Sequence, residues 1–336
     1  MNYIVLLNWN GWQDTIACLH SLVSLTTEDV RVIVCDNDSS DGSQQHIVDW
    51  ATGLVQPKLP DNPILARLLN KSTHVSYQQL HRSEVLNNKA PVALPWLTII
   101  QNGGNLGFAG GNNVGLTYAL AQNDMNHVWL LNNDTLVEPN CLDAMLERMR
   151  DENGMCGSRV MFYDDPTVVQ ALGGNSYNRW SGNATASVGR FTAASATRNT
   201  KAVESQLDYI SGCSMLVSRQ FLESVGLMDD RYFLYYEEID WAVRAGKQVK
   251  KIYADDAVVY HKEGSSIGSA SLDRRASLLS EFYCFRNKLW FTATHYPRAL
   301  PSCYAFTWLQ ALNRFRRGYW QSGWQIVQIL LGKRAI

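Results

Sequence analysis

The feature that most constrains the fold of this chain is a repeated pattern, in which a short apolar run is followed by a polar turn and then by apolar residues at helical spacing. The apolar runs cover residues 3–7, 30–35, 97–100 and 128–131. Runs of this length, bounded by Asn, Asp or Gly, are typical of strands buried on both faces. Four strand–helix units in succession predict an α/β fold with a mostly parallel central sheet and helices on both of its faces.

The composition is that of a folded protein. Of the 336 residues, 18% are charged and 46% are hydrophobic, which excludes a disordered chain. The seven cysteines are scattered and form no CxxC pair, which argues against a disulfide framework or a zinc site. The N-terminus lacks the basic region of a signal peptide, and no apolar stretch is long enough to span a membrane. We therefore expect a cytoplasmic protein.

Two departures from the repeated pattern define the domain organisation. Residues 55–96 contain prolines, Asn and Gln without a clean period, and we interpret them as an insertion of unassigned role. Residues 154–207 are rich in Gly, Ser, Thr and Ala, which indicates a looped half of the domain. We expect one α/β domain over residues 1–270, followed by a helical region over residues 271–336.

Polar residues follow the first two predicted strands, at the sheet edge where open α/β folds bind ligands. Asn8 and Asn10 follow the first strand, and Asp36 ends the second. The carboxylate of Asp36 could accept a hydrogen bond from the N3–H group of a uracil or thymine ring, or it could cap the following turn. Both interpretations of Asp36 stay open on the sequence alone.

The fourth strand ends in Asn132, Asn133 and Asp134. Asp134 lies several residues before the helix that begins near Pro139, so capping of that helix explains it poorly. A divalent cation bound to a diphosphate needs few ligands from the protein, because phosphate oxygens and water complete its shell. One carboxylate with neighbouring amides therefore predicts a site for Mg²⁺ or Mn²⁺.

A glycine-rich segment lies between the third strand and its helix. Its glycines occupy positions 103, 104, 107, 110 and 111, which match neither GxGxxG nor GxxxxGK[ST]. A nicotinamide dehydrogenase and a P-loop enzyme are therefore disfavoured. The side chains of Asn105 and Asn112 could face a nucleotide, although a structural turn is the favoured interpretation of this segment taken alone.

The sequence Glu237-Glu-Ile-Asp240 predicts the start of a helix that contains Trp241 and Arg244. Carboxylates are favoured at a helix N-terminus by the macrodipole alone. Glu237 and Asp240 share a face at a spacing of three, and Asp240 can pair with Arg244 at a spacing of four, which leaves Glu238 free to act as a base. The aromatic residues at 232, 233, 235 and 236 favour that role, because desolvation raises the pKa of a carboxylate.

These segments, in this order, resemble glycosyltransferase family 2, and more narrowly its bacterial rhamnosyltransferase-like branch. The resemblance covers residues 3–291 apart from the insertion, and it includes the segment Phe282-Tyr-Cys-Phe-Arg-Asn287, which is similar to a helical signature of the branch. It implies an inverting enzyme with a GT-A fold, a Rossmann-like architecture for nucleotide-diphospho-sugar transfer, here with a C-terminal helical appendage.

The resemblance also implies roles for individual residues. Asp36 matches the Asp that contacts the pyrimidine, and Asn132-Asn-Asp134 matches the DxD motif, with Asn in place of its first Asp. Glu238 matches the second acid of the ED motif, which is the catalytic base, and His261 matches a histidine that joins the metal or diphosphate site. The predicted residues are Glu238 for catalysis; Asn8, Asn10, Asp36, Asn105, Asn112, Asn132 and Asn133 for the donor; Asp134 and His261 for the metal; and Glu237, Asp240, Trp241 and Arg244 for acceptor binding or support.

The C-terminal region is basic and aromatic. From Phe282 onward there is no Asp or Glu but eight Lys or Arg, which give this part a net charge of +8. Since the whole chain carries −1, the residues before Phe282 carry −9. Cationic side chains among Trp and Tyr suit the surface of an anionic inner membrane leaflet, where each contributes around 1 kcal/mol. The alternative is a helical pair packed on the catalytic domain or on a second subunit, as in a homodimer. The acidic remainder disfavours a nucleic-acid partner.

The resulting hypothesis is an inverting hexosyltransferase that uses a divalent metal and a dTDP- or UDP-sugar, with dTDP-rhamnose preferred. Its acceptor would be a hydroxyl group of a lipid-linked or growing surface polysaccharide, such as an O-antigen, and it would lie peripherally on the inner membrane. The Asn at position 132 motivates a second hypothesis, in which a non-catalytic partner binds the nucleotide sugar within a polysaccharide assembly complex.

Overall fold

The computed structural model describes residues 1–71, 74–86, 94–150, 152–196, 199–262 and 277–333. Its strands are β1 Asn2–Asn8, β2 Val30–Asp36, β3 Tyr77–His81, β4 Leu97–Gln101, β5 His127–Asn132, β6 Thr135–Val137, β7 Gly154–Phe162, β8 Val169–Leu172, β9 Gly174–Asn178, β10 Asn183–Ser187, β11 Tyr209–Ile210, β12 Ser214–Ser218 and β13 Lys250–His261. Its α-helices are α1 Trp12–Leu22, α2 Ser43–Ala51, α3 Pro63–Ala66, α4 Arg82–Leu86, α5 Gly107–Leu120, α6 Cys141–Met149, α7 Thr200–Glu204, α8 Arg219–Val225, α9 Glu237–Ala245, α10 Leu278–His295, α11 Leu300–Arg316 and α12 Trp320–Leu330.

Ten strands form one large sheet in the order β3-β4-β2-β1-β5-β12-β7-β13-β6, with β8 paired to β7. The first five strands of this order run parallel to one another. Strand β12 is antiparallel to both of its neighbours, whereas β13 is parallel to β7. The sheet is therefore mostly parallel, as the repeated strand–helix pattern predicts. A second, three-stranded sheet has the order β10-β9-β11.

The large sheet is buried on both faces. On β1, Tyr3 and Val5 point into one hydrophobic cluster with residues of α5, while Ile4 and Leu6 point into another with residues of α1, α2 and α6. Successive side chains of a strand point to opposite faces, so an uninterrupted apolar run fits a sheet with a core on each side. The polar residues that end the strands are thereby left at the sheet edge.

The segment predicted as an insertion, residues 55–96, is only partly separate from the sheet. Its strand β3 pairs in parallel with β4 and extends the sheet by one edge strand. Leu65, Leu68 and Leu69 from the same segment are buried in the core. The sequence of this strand shows no continuous apolar run, because β3 is short and its alternate residues are exposed. The residues on either side of the predicted domain boundary at 270 lie outside the described residues.

The C-terminal region is helical, as expected, and forms a small core of its own around Phe285, Leu289, Cys303, Ala311 and Ile326. Within the residues that the structure describes, no helix combines the length and the apolar character needed to cross a membrane.

Candidate active site

The carboxyl ends of β4, β2, β1 and β5 bring a row of polar side chains to one edge of the sheet. The strand register places Asn8 beside Asp36 and Asp36 beside Gln101, and Asn132 lies opposite Leu7 on the other side of β1. The sheet topology therefore brings Asn8, Asp36 and Asn132 to the same edge of the sheet.

Asp36 is fully buried at this edge. Its carboxylate accepts hydrogen bonds from Asn8 Nδ2 at 2.6 Å and from Ser39 Oγ at 2.6 Å, and the backbone N–H of Ser39 donates to it at 3.1 Å. Ser39 Oγ in turn accepts from the backbone N–H of Asn10 at 2.8 Å. Asp36 therefore caps the turn that follows β2, as one of the two interpretations predicted, and joins this turn to the loop after β1. The N-cap of α2 is Gly42.

A chain of hydrogen bonds connects this edge to the loop after β5. Asn8 Oδ1 accepts from Thr15 Oγ1 at 2.8 Å, and Thr15 Oγ1 accepts from Asn133 Nδ2 at 2.9 Å. All three side chains are buried. Because a buried polar chain of this kind is fixed when each member has a partner, the position of the Asn132–Asp134 segment depends on the strand ends of β1 and β2.

The glycine-rich segment is mainly helical, which corrects its interpretation as a turn. Helix α5 begins at Gly107. A Cβ atom on Gly107 would lie 2.3 Å from Phe233 O, and one on Gly111 would lie 2.3 Å from Leu7 Cδ1. These glycines therefore let the helix approach β1 and the loop before α9 more closely than any other residue allows.

The two asparagines predicted from this segment have structural contacts. Asn105 Oδ1 accepts from the backbone N–H of Gly107 at 3.0 Å, at the entry to α5. Asn112 is buried, and its Nδ2 donates to Phe108 O at 2.9 Å within the helix. Their predicted contact with a nucleotide stays a prediction.

Asp134 and His261 come together at the end of β5 and β13. Asp134 Oδ1 lies 3.2 Å from His261 Nε2, and Asn132 Nδ2 lies 3.3 Å from the same nitrogen. On the other side of the ring, His261 Nδ1 lies 2.7 Å from Gln170 Oε1, an acceptor. A proton on Nδ1 would donate to this oxygen, and that tautomer would leave Nε2, the nitrogen beside Asp134, available to a cation.

This donor set fits a divalent cation. A carboxylate oxygen and an imidazole nitrogen that lie 3.2 Å apart can both bind one ion at roughly 2.1 Å. Among the described residues no group of three or more His, Cys, Asp or Glu side chains is placed to hold a metal. The protein would therefore supply two ligands at this position, and rotation of the Asn132 amide would present a third oxygen.

Glu238 lies in the first turn of α9 and contacts the loop before β12. An added Cβ on Gly212 would be 2.2 Å from Glu238 Oε1, so a larger residue at position 212 would displace this carboxylate. The next residue, Cys213, accepts a hydrogen bond through its carbonyl from the backbone N–H of Asn132 at 2.9 Å. Two consecutive residues thus connect Glu238 with the end of β5, since neighbouring Cα atoms are about 3.8 Å apart.

Burial raises the pKa of the Glu238 carboxyl, and backbone N–H groups, including that of Gly212, act in the opposite direction. Burial also raises the pKa of Glu237, well above its usual range, and the neighbouring charge of Glu238 adds to this shift. Glu237 is 2% exposed, and its Oε2 has no hydrogen-bond partner within the described residues. The two acids therefore differ: Glu237 is enclosed, whereas Glu238 lines a cavity.

The loop before α9 is held in a strained conformation by α10. Phe233, Tyr235 and Tyr236 have φ values of 63°, 67° and 77°, which side chains other than glycine adopt rarely. Asn287 is completely buried, and its Nδ2 donates to the carbonyl oxygens of Tyr232, Leu234 and Tyr235 at 2.7–2.9 Å. This amide compensates for the strain and sets the direction in which α9 begins.

Asp240 and Arg244 support the same helix, as the sequence predicts. Arg244 Nε donates to Asp240 Oδ2 at 2.7 Å, and its remaining nitrogens donate to Val225 O and Leu227 O. His295 Nε2 lies 2.7 Å from Asp240 Oδ1. Trp241 is fully buried, and its Nε1 donates to Gly226 O, so it supports the helix from the core.

A cavity of about 510 Å³ opens at Glu238. Four tyrosines supply aromatic walls, and asparagine, serine and glutamine side chains supply polar groups; the lining includes Tyr177, Tyr209, Tyr235, Tyr236, Asn175, Asn183, Ser211, Cys284 and Gln310. Aromatic faces with a few convergent polar groups are typical of a small-molecule site.

Sequence reasoning missed Gly212, Gln170 and His295. Gly212 gave no signal, since a single glycine in a Gly- and Ser-rich stretch is unremarkable. Gln170 and His295 lie 91 and 55 residues from the side chains they contact, so no periodicity relates them to the site.

Comparison with known proteins identifies related sequences. The family model for glycosyl transferase family 2 matches residues 84–226, which include the Asn132–Asp134 segment but end before Glu238. The low-salt glycan biosynthesis hexosyltransferase Agl10 of Haloferax volcanii is 26% identical over 240 residues, 70% of each chain. An N-acetylglucosaminyl-diphospho-decaprenol L-rhamnosyltransferase of Mycobacterium tuberculosis is 32% identical over 94 residues, 27% of this chain and 31% of the relative.

Solved structures share the fold at low sequence identity. The mannosyltransferase PcManGT from Pyrobaculum calidifontis, in complex with GDP-Man and Mn²⁺, aligns with 98% of this chain and 86% of its own, at a TM-score of 0.50 and 12% identity. Residues 1–349 of TarS from S. aureus align with 98% of this chain and 80% of that chain, at a TM-score of 0.50 and 10% identity.

The contact between Asn287 and the strained loop predicts a large loss of stability in Asn287→Asp. A carboxylate would face three carbonyl oxygens without a proton to donate, and we expect the free energy of unfolding to fall by about 3 kcal/mol or more. Urea unfolding measures this change. Asn313→Asp, on the exposed side of α11, is the matched control and should stay within about 0.5 kcal/mol of the wild type. Equal stability of the two variants would contradict the assigned contact.

The raised pKa of Glu238 predicts the acid side of the pH–rate profile. If Glu238 is the base, the rate should rise with pH as its carboxyl ionises, because a base acts only when ionised. Because burial raises the pKa of this group, the apparent pKa of the acid limb should lie above the value of about 4.3 for an ordinary Glu. The pH dependence of kcat/KM measures it, and an acid limb at or below the ordinary value would rule Glu238 out as the ionising group.

Proposed function

We propose that this chain, a glycosyltransferase with a family 2 domain and a GT-A fold, transfers a sugar with inversion from a nucleotide-sugar donor to a hydroxyl group held in the Glu238 cavity. The observation that supports the proposal is that both groups lie next to two consecutive residues: Gly212 is beside the Glu238 carboxylate, and Cys213 O accepts from the backbone N–H of Asn132.

In the proposed mechanism the donor lies along the carboxyl edge of the sheet. Asp36, Asn8 and Asn10 lie on the nucleoside side, and Asn132, Asn133 and Asp134 lie on the diphosphate side. A divalent cation held by Asp134 and His261 would neutralise charge on the departing diphosphate. Glu238 removes the proton of the acceptor hydroxyl while that oxygen forms a bond to the anomeric carbon, and the bond from this carbon to the diphosphate oxygen breaks. Attack from the opposite side inverts the configuration.

We further propose dTDP-rhamnose as the preferred donor, with a UDP-sugar as the alternative, and a lipid-linked sugar as the acceptor. The relatives named as a hexosyltransferase and as an L-rhamnosyltransferase acting on a diphospho-decaprenol support this choice. The non-catalytic alternative is less well supported, because Glu238 lines a cavity whose aromatic walls and polar groups suit a small-molecule substrate.

The function is tested by donor turnover in two matched variants. We expect Glu238→Gln to lower kcat by about 10²- to 10⁴-fold, since the general base is lost. Glu237→Gln makes the same chemical change one residue earlier, at an enclosed side chain that does not line the cavity, and it should keep most of the activity. Release of nucleoside diphosphate in the presence of acceptor is the measurement. Normal turnover in Glu238→Gln, or equal losses in both variants, would contradict the assigned base.

The donor and its cation are tested by thermal unfolding with a panel of nucleotide sugars, with and without Mn²⁺. Binding of a nucleotide sugar to the folded state raises the Tm. A free ligand concentration of about 100 times Kd raises the free energy of unfolding by about 2.7 kcal/mol. We expect the increment that depends on Mn²⁺ to disappear in Asp134→Asn and to persist in Asp256→Asn, which changes an exposed carboxylate on β13. A full Mn²⁺ increment in Asp134→Asn would contradict the metal assignment.

We propose that α11 and α12 bind an anionic membrane surface. Their outward side exposes Trp308, Leu309, Leu312, Trp320 and Trp324, each between 40% and 68% accessible. Exposed Arg316, Arg317 and Lys333 lie in the same region. The basic surface is smaller than the sequence suggests, because Arg314 pairs with Glu281 at 2.8 Å and Lys288 is buried.

Sedimentation with vesicles that contain anionic lipid tests this surface. The double variant Trp320→Gln/Trp324→Gln should sediment less than the wild type, and added salt should weaken binding of both. Trp180→Gln, which removes a tryptophan that is 51% exposed outside these helices, is the control. A wild-type protein that stays in the supernatant, or a double variant that sediments like the wild type, would contradict membrane binding.

A further inference from the structure

Lys288 is a buried cation that the proposed mechanism does not use. It lies on α10 and is 1% exposed. Its Nζ donates to Gln310 Oε1 on α11 and to Asn183 Oδ1 on β10, the latter at 3.3 Å. The same nitrogen lies 4.9 Å from the centre of the Phe285 ring, within reach of a cation–π contact. Two amide oxygens and one aromatic face thus account for the three N–H groups of the ammonium.

These contacts fix the orientation of two amides. An ammonium group donates hydrogen bonds and accepts none, so Asn183 and Gln310 must both turn their oxygens toward Lys288 and their NH₂ groups away from it. Within the described part of the chain, neither NH₂ group donates a hydrogen bond to the protein.

Both amides line the cavity of Glu238, whereas Lys288 does not. The cavity therefore receives neutral N–H donors from two sides, one from the small sheet and one from the C-terminal helices. Tyrosine rings supply the faces between them. A neutral sugar ring matches this arrangement, because its oxygens accept hydrogen bonds and its C–H faces pack on aromatic rings.

We propose that Asn183 and Gln310 recognise the acceptor sugar by donating hydrogen bonds to its hydroxyl or acetamido oxygens, and that Lys288 is the positioning residue that sets both amides for this contact. This inference rests on the proposed function, since it takes the Glu238 cavity as the acceptor site. It makes the C-terminal helices a part of acceptor specificity, in addition to their proposed role at a membrane.

The decisive variant is Gln310→Glu. A carboxylate keeps and strengthens the contact with Lys288, but it has no NH₂ group to offer the cavity. The acceptor probe is N-acetylglucosaminyl diphosphate on a short alkyl chain, with the donor identified by thermal unfolding. We expect the KM for this acceptor to rise about tenfold, as for the loss of one hydrogen bond. The KM for the donor and the slow rate of donor hydrolysis without acceptor should stay at wild-type values. The Tm should stay the same or increase.

Lys288→Met provides the second variant, since it removes a buried charge and keeps the volume of the side chain. It frees both amides, so it should raise the KM of the acceptor probe without changing donor hydrolysis. Lys201→Met, at an exposed position on α7, is the matched control. A wild-type KM for the acceptor probe in Gln310→Glu overturns the inference, whatever Lys288→Met does to stability.

Cys284 gives an independent measure of where the acceptor binds. Of the seven cysteines, all of which lie within the described residues, only Cys284 is exposed, and it lines the cavity. The acceptor probe should slow alkylation of Cys284 in the wild type, and a higher probe concentration should be needed in Gln310→Glu. If the wild type transfers sugar but the probe does not protect Cys284, the inference fails while the proposed function stands. If the wild type neither hydrolyses nor transfers any donor, the proposed function fails and the inference with it.

Discussion

The antiparallel pairing of β12 with β5 is the constraint on which the rest of the site depends. The register places Ser214 opposite Leu131, so the residues before β12 must lie beside the residues that end β5. Gly212 therefore reaches Glu238, and Cys213 accepts from the backbone of Asn132. An open parallel sheet presents one ligand edge, and the inserted antiparallel strand adds a second wall to that edge. Glu238 and the Asn132–Asp134 segment come from distant parts of the sequence, and this strand pairing brings their neighbourhoods together.

The C-terminal helices complete the site and are more than an appendage. Asn287 donates hydrogen bonds to carbonyl groups of the strained loop. Arg286 also donates to Arg231 O and Tyr232 O in the same turn. Helix α11 contributes Gln310 to the cavity wall. Strain in a loop persists only where its surroundings fix it. The orientation of Glu238 is thus set by residues that follow it by about fifty positions.

The sequence predicted the sheet well, because its signal is local. Short apolar runs that end in Asn or Asp define β1, β2, β4 and β5, and parallel pairing brings their ends together without further information. The pairing of Asp240 with Arg244 was also predictable, since it follows from helical spacing. The glycine-rich segment was misinterpreted because three of its glycines serve helix packing, which depends on neighbours such as Leu7 and Phe233. Contacts between distant residues, such as Gln170 with His261 and Lys288 with Asn183, leave no periodic trace in the sequence.

The most direct test of the shared cleft is a crystal structure with a non-hydrolysable nucleotide sugar and Mn²⁺, in which anomalous scattering locates the metal. We expect Mn²⁺ between Asp134 and His261, with the anomeric carbon of the sugar facing the cavity at Glu238. A sugar whose anomeric carbon points away from that cavity, or a metal bound elsewhere, would show that Asp134 and Glu238 do not share one cleft.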